Sequence, residues 1–64
     1  MILILTLAKL HKRVSLFKTT TNTFIIDCEY MRDQYKSTYT SFDDALSFVA
    51  TFWQCEVNSI VDLI

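Results

Sequence analysis

The chain contains neither glycine nor proline. These two residues normally supply turns with positive φ and the stops of helices, so we expect the turns here to be built from Asn, Asp, Ser and Thr. The absence of glycine also excludes phosphate-cradling loops and dinucleotide fingerprints, because both need the backbone to approach a ligand closely. The common classes of nucleotide-binding protein are therefore excluded.

Groups that could hold a metal are also scarce, with one histidine and two cysteines in 64 residues. Neither a C-x-x-C nor an H-x-x-x-H spacing occurs, so we expect no zinc site and no other cofactor. Cys28 and Cys55 could form one disulfide, but a pair without a secretory signal is more typical of two buried thiols. The sequence favours free thiols and leaves the disulfide open.

No constellation of catalytic groups is visible. Asp43 and Asp44 are adjacent, and on a helix their side chains would point about 100° apart, so helix capping explains them better than a shared substrate. Cys28 falls in the inward-facing set of its strand, where burial raises the pKa of a thiol and blunts its reactivity. We therefore predict that the protein is not an enzyme and has no catalytic residues.

The length indicates one domain over residues 1–64, and a domain this small buries only about 60% of the surface that its unfolded chain exposes. The apolar fraction is nevertheless 52%, with nine aromatic residues among them. This is more apolar side chain than a small core easily hides, which predicts that part of the surplus faces a partner.

The formal net charge is −1, but the charges are unevenly distributed. All seven acids lie from Asp27 onward, whereas four of the six basic residues lie within the first eighteen positions. A basic patch of Lys9, His11, Lys12 and Arg13 could contact phosphates, yet a pI near 5.6 favours an ordinary solvated surface. We do not expect nucleic acid to be the partner.

The apolar opening MILILTLAKL is too short to cross a bilayer, which takes about twenty helical residues. No positive charge precedes the apolar run and no small-residue cleavage site follows it, so a signal peptide is not indicated either. We expect a buried strand or core helix here, no membrane association and a cytoplasmic location.

The clearest predicted element is a helix that starts at Ser41 and runs to about Gln54. Ser41 is a good N-cap, and Asp43 and Asp44 place negative charge at the positive end of the helix dipole. Apolar residues then recur at three- and four-residue steps, as expected for one buried helical face: Phe42, Ala45, Leu46, Val49, Phe52 and Trp53.

Strand character dominates the region before this helix. The predicted strands are 13–18, 23–30 and 35–40, with turns at 19–22 and 31–34. In the second strand, Phe24, Ile26, Cys28 and Tyr30 point to one face, and Ile25, Asp27 and Glu29 to the other.

Both ends of the chain are ambiguous in pattern. We interpret Glu56–Ile64 as a short final strand or a short helix. The run Ile2–Leu5 favours a strand, although Leu3, Leu7, Leu10, Val14 and Phe17 also follow heptad spacing. The predicted fold class is α+β, a small antiparallel sheet of three or four strands with one helix packed on one face.

Tyrosine and tryptophan dominate binding hot spots, because each offers a large apolar area with few rotamers to freeze. A mostly acidic surface dotted with aromatic rings would suit a basic target. Ordinary solvated strand positions are the alternative explanation. The residues predicted to contact a partner are Asp27, Glu29, Asp33, Tyr35, Tyr39 and Glu56.

The order of two strands, a Ser/Thr-capped helix beginning Thr40-Ser41-Phe42-Asp43-Asp44-Ala45-Leu46 and a last strand resembles small phage-encoded inhibitors of host machinery. The inhibitors of bacterial RNA polymerase carried by T7-like phages and some small anti-CRISPR proteins have this character. The resemblance extends loosely over residues 13–63 and carries no functional residue across. It implies a phage- or mobile-element-encoded inhibitor that occupies a functional surface of a host protein or complex.

Two other functions remain open at this point. The chain could be a structural subunit or homo-oligomer whose exposed strand edge completes a larger sheet. It could also bind nucleic acid through the basic residues between Lys9 and Lys18, in which case binding would depend steeply on salt.

Overall fold

The computed structural model describes residues 1–64 as one sheet followed by two helices. Four strands form an antiparallel meander in the order β1-β2-β3-β4, so that each strand pairs with its neighbour in sequence. The elements are β1 (Ile2–Lys9), β2 (Lys12–Lys18), β3 (Phe24–Tyr30), β4 (Asp33–Tyr39), α1 (Phe42–Trp53) and α2 (Val57–Val61). This confirms the predicted α+β class.

One face of the sheet carries the core and the other is open. Alternate residues of β2 and β3 are buried under α1, as the period-two pattern requires: Val14, Leu16, Phe24, Ile26 and Cys28. The residues between them lie on what we call the open face, where Arg13, Ser15 and Phe17 pair with Glu29, Asp27 and Ile25. The facing predicted for residues 23–30, which form β3, is therefore confirmed.

Helix α1 is held at both ends by its own local chemistry. The Ser41 hydroxyl accepts a hydrogen bond from the amide of Asp44 at 3.4 Å, which confirms the predicted N-cap. At the other end Gln54 adopts a left-handed conformation, with φ 61° and ψ 49°. Its amide donates to Thr51 and the amide of Cys55 to Ala50, which is the Schellman pattern. Between these caps Ala45, Leu46, Val49 and Ala50 are buried.

The turns are made without glycine, but the expectation that Asn, Asp, Ser and Thr build them holds only for the β2–β3 loop. The two-residue turns consist of Leu10-His11 and Met31-Arg32. The β3–β4 turn places Met31 and Arg32 both at positive φ, at 54° and 76°, as in a type I′ hairpin. The β2–β3 loop is organised by the Thr19 hydroxyl, which accepts from the amides of Thr21 and Thr23 at 3.3 and 3.2 Å. The predicted turn at residues 19–22 is thus present and is stabilised by its own side chains.

Several predicted bounds need correction. The third predicted strand begins at Asp33 rather than Tyr35, because the β3–β4 turn takes only two residues instead of four. The N-terminal run is a strand as favoured, and it extends to Lys9 with a register shift between Leu3 and Leu5.

The strand interpretation of Glu56–Ile64 is wrong, and the short-helix alternative is correct. Val57–Val61 forms α2, and its single buried residue, Ile60, is fully removed from solvent. This one side chain anchors the short helix in the core. The chain therefore ends in two helices and differs there from the element order on which the resemblance rested.

Candidate binding surfaces

Three elements meet at one end of the molecule, where we find the larger concave surface. The β1–β2 turn (Leu10, His11) and the β3–β4 turn (Met31, Arg32) are joined by a hydrogen bond from the Met31 amide to the His11 carbonyl, 3.0 Å long. The C-terminal end of α1 lies beside them and contributes Phe52 and Gln54. The hydrogen bond between Met31 and His11 holds the two hairpin turns next to each other.

Between these elements lies a groove of about 580 Å³, which we call the turn-end groove. Its most exposed apolar side chain is Leu10, which is 84% exposed, and Met31 follows at 58%. No carboxylate lines it. The groove is formed by Lys9, Leu10, His11, Lys12, Tyr30, Met31, Phe52 and Gln54.

Two lysine ammonium groups lie over aromatic rings at the edge of this groove. The Lys9 Nζ lies 4.7 Å from the centroid of Trp53, and the Lys12 Nζ lies 5.0 Å from that of Phe52. Each such contact contributes about 0.5–1 kcal/mol at an exposed site. The strand register pairs Lys9 with Lys12, which sets the two positive charges side by side.

The two lysines also place positive charge near the negative, C-terminal end of the α1 dipole. The last turn of α1 contains no basic residue of its own, so the negative end of its dipole would otherwise have no nearby cation on the same element. Lys9 and Lys12 supply that charge from the neighbouring hairpin. The groove consequently combines positive charge, exposed apolar area and aromatic rings, above two hairpin turns that are joined by a backbone hydrogen bond.

The structure does not bring the six predicted partner-binding residues together on one surface. Asp27 and Glu29 lie on the open face, where Asp27 pairs in register with Lys36 and the Glu29 carboxylate forms a 3.0 Å salt bridge with Arg13. Each of the two acids thus has a basic residue opposite it, and the open face is not predominantly acidic.

The two tyrosines of that set lie on the other face. Tyr35 pairs with buried Cys28 and is more than half exposed, while Tyr39 is half-buried with its ring 5.8 Å from that of Phe48. Asp33 follows the β3–β4 turn, and Glu56 precedes α2 without a side-chain capping bond. A role in partner binding stays a prediction for each of the six.

The cysteines are both free, with Cys28 buried and Cys55 half-buried. Burial, and to a lesser extent the charge of Asp27, raises the pKa of the Cys28 thiol. A protonated, buried thiol is a poor nucleophile and a poor metal ligand. No group of three or more His, Cys, Asp or Glu side chains has an arrangement that could hold a metal ion.

The sequence indicates the cations of the turn-end groove but not the groove. Of the predicted basic patch, Lys9, His11 and Lys12 line the groove, whereas Arg13 lies on the open face in its salt bridge with Glu29. No sequence pattern connects the other lining residues with these cations: Leu10, Tyr30, Met31, Phe52 and Gln54. The one usable signal was the hairpin register, since a two-residue turn at Leu10 and His11 necessarily places Lys9 opposite Lys12. No local sequence pattern indicates that the β3–β4 turn and the end of α1 lie beside the β1–β2 turn.

No protein-family model, no curated protein and no solved structure matches this chain. Neither helix combines the length and the hydrophobicity that a membrane-spanning helix needs.

Proposed function

We propose that this protein is a small protein-binding inhibitor, encoded by a phage or mobile element, that acts in the cytoplasm of a bacterial host. It blocks a host macromolecular machine by occupying one of its functional surfaces. The observation that carries the proposal is the turn-end groove, whose exposed Leu10, Met31 and Tyr30 are flanked by cations. Large apolar and aromatic side chains around a rigid concave surface are typical of binding hot spots.

The electrostatics of the groove support a partner with an acidic binding segment. Because lysines line it and no carboxylate does, an acidic segment of the target that presents an apolar or aromatic side chain is the complementary occupant. This differs from the basic target that the sequence suggested, since the acids expected to form an acidic surface are dispersed over the two sides of the sheet.

The experiment uses two exposed leucines as a matched pair. Leu10 lines the groove, and Leu63 is 58% exposed beyond α2 and outside it. The wild type, Leu10→Asp and Leu63→Asp are each titrated into transcription by purified bacterial RNA polymerase and into DNA cleavage by purified CRISPR effector complexes. We expect the wild type and Leu63→Asp to inhibit one of these reactions at a stoichiometric ratio.

Leu10→Asp should weaken that inhibition at least tenfold, because it places a carboxylate where the acidic segment binds. Two negative results together would end the inhibitor proposal. The first is that the chain inhibits neither RNA polymerase nor a CRISPR effector complex, and the second is that it inhibits no other host complex that it captures from lysate. Equal loss of inhibition for both leucine variants would remove the groove from the proposal.

A second candidate function is a structural subunit or homo-oligomer without inhibitory activity. It is favoured by a different observation, the uncovered edge of β1, where Ile2 is 67% and Leu3 54% exposed. Nucleic-acid binding through the lysines of the groove is a separate outcome. It would appear as retention on heparin that falls steeply with salt.

A further inference from the structure

The two edges of the sheet differ sharply in chemistry. The β4 edge reads DQYKSTY, with Asp33, Lys36 and several polar side chains, and such charges are what natural edge strands use to prevent unwanted pairing. The β1 edge reads ILILTLAK and carries no charge before Lys9. The β4 edge is therefore protected by charge, whereas the β1 edge has no charge over Ile2–Ala8 and deviates from a regular strand only at the register shift between Leu3 and Leu5.

Helix α1 does not cover the unprotected edge. It packs against β2, β3 and β4, and no part of its backbone comes close to β1. Among the first residues of β1, Ile2 and Leu3 are exposed, and Ile4 is only partly buried. The outer hydrogen-bonding row of an eight-residue apolar strand is consequently left unpaired within the chain.

We infer that β1 pairs antiparallel with β1 of a second copy of this chain, which joins two four-stranded sheets into one of eight strands. The occupant is argued from charge. An uncharged strand best accepts another uncharged strand. In the antiparallel direction Ile2–Ala8 pairs with itself about Leu5, and the regular part of the strand begins at this centre, after the register shift between Leu3 and Leu5.

The antiparallel direction of the pairing is inferred from Lys9. Antiparallel pairing places the two Lys9 ammonium groups at opposite ends of the paired β1 strands, which we call the joint, whereas parallel pairing would set them side by side. The pairing also adds to a small core, since only 11 of the 64 residues are buried in the single chain. A sheet of eight strands remains within the usual range for a twisted open sheet.

Thr6 offers a test that separates pairing from folding. It lies near the middle of β1, is exposed, and points to the open face with its hydroxyl 3.2 Å from that of Ser15. When Ile2 of one copy pairs with Ala8 of the other, the two Thr6 side chains are diagonal neighbours on the same face, about 7–8 Å apart. Thr6→Lys therefore places like charges across the joint, while Thr6→Val is a matched uncharged control.

Light scattering at concentrations from about 1 to 300 μM is the measurement, with circular dichroism to confirm that each variant folds. We expect the wild type and Thr6→Val to move from the monomer mass of 7.5 kDa towards twice that value as concentration rises. Thr6→Lys should stay at the monomer mass. A mixture of Thr6→Lys with Thr6→Glu should form a dimer again, because opposite charges then face each other.

A wild type that keeps the monomer mass at every concentration overturns the inference. A dimer that persists in Thr6→Lys, or an equimolar mixture that fails to restore pairing, overturns it as well. The joint uses residues 2–8, whereas the inhibitor proposal depends on Leu10 beyond them. Leu10→Asp should dimerise normally, so the two proposals can fail independently.

Discussion

Replacing Gln54 by glycine should stabilise the protein, because Gln54 ends α1 in the left-handed region where a Cβ atom is costly. A non-glycine residue in this conformation costs about 1–2 kcal/mol. Glycine recovers that cost but loses about 0.5–1 kcal/mol through its greater freedom in the unfolded chain. The net gain is centred on about 0.75 kcal/mol, within a range of about 0–1.5 kcal/mol, and its central value corresponds to about 3–6 °C in Tm for a domain of this size.

Urea unfolding followed by circular dichroism measures the effect, and Ser47→Gly is the matched control. Ser47 is exposed in the middle of α1 and does not have a positive φ, so glycine there should lower the stability by about 0.5 kcal/mol. The two substitutions should therefore move the urea midpoint in opposite directions with an unchanged slope. If Gln54→Gly lowers the midpoint as Ser47→Gly does, the assignment of strain to the helix end is refuted.

Three further predictions follow from burial, turn geometry and thiol ionisation. Ile60→Ala should cost about 2–5 kcal/mol because it removes the single buried anchor of α2, whereas Val61→Ala next to it should cost less than about 0.5 kcal/mol; equal losses in thermal unfolding would contradict this assignment. Arg32→Gly should raise the urea midpoint, since the second residue of a type I′ turn favours glycine, and a fall would argue against the turn type. The pKa of the Cys28 thiol is raised in the folded state, so its contribution to stability is complete below the pKa of the unfolded thiol and is lost as pH rises through that of the folded one. Stability measured by urea at pH 7 and about 10 should consequently fall less in Cys28→Ala than in the wild type or Cys55→Ala, and an equal fall in all three would disprove the linkage.

The parts of the fold that could be predicted from sequence are those fixed by local chemistry. The alternation of Phe24, Ile26 and Cys28 determines which side of β3 is buried, and Ser41 with Asp44 determines where α1 begins. Helix α2 could not be assigned, because five residues without a capping bond carry no periodic signal and its position depends on one contact in the core, that of Ile60.

The candidate site was harder to predict for a related reason. Residue type alone groups Tyr35 with Asp27 and Glu29, yet the register opposite Cys28 puts it on the other side of the sheet. The shorter turn does not cause this, because a register change of two residues preserves the facing of every side chain, whereas a change of one reverses it. Residue type carries no information on which face of the sheet a side chain occupies. The turn-end groove arises from three segments that are distant in sequence, and no local pattern records their meeting.

The order of elements has a consequence for how the chain folds during synthesis. All four strands precede α1, and each pairs with its immediate neighbour, so the sheet can assemble progressively as the chain leaves the ribosome. The face that carries Val14, Leu16 and Ile26 stays open until α1, which follows the last strand, packs on it. The sheet is therefore the part of the chain that exposes apolar surface for longest during synthesis.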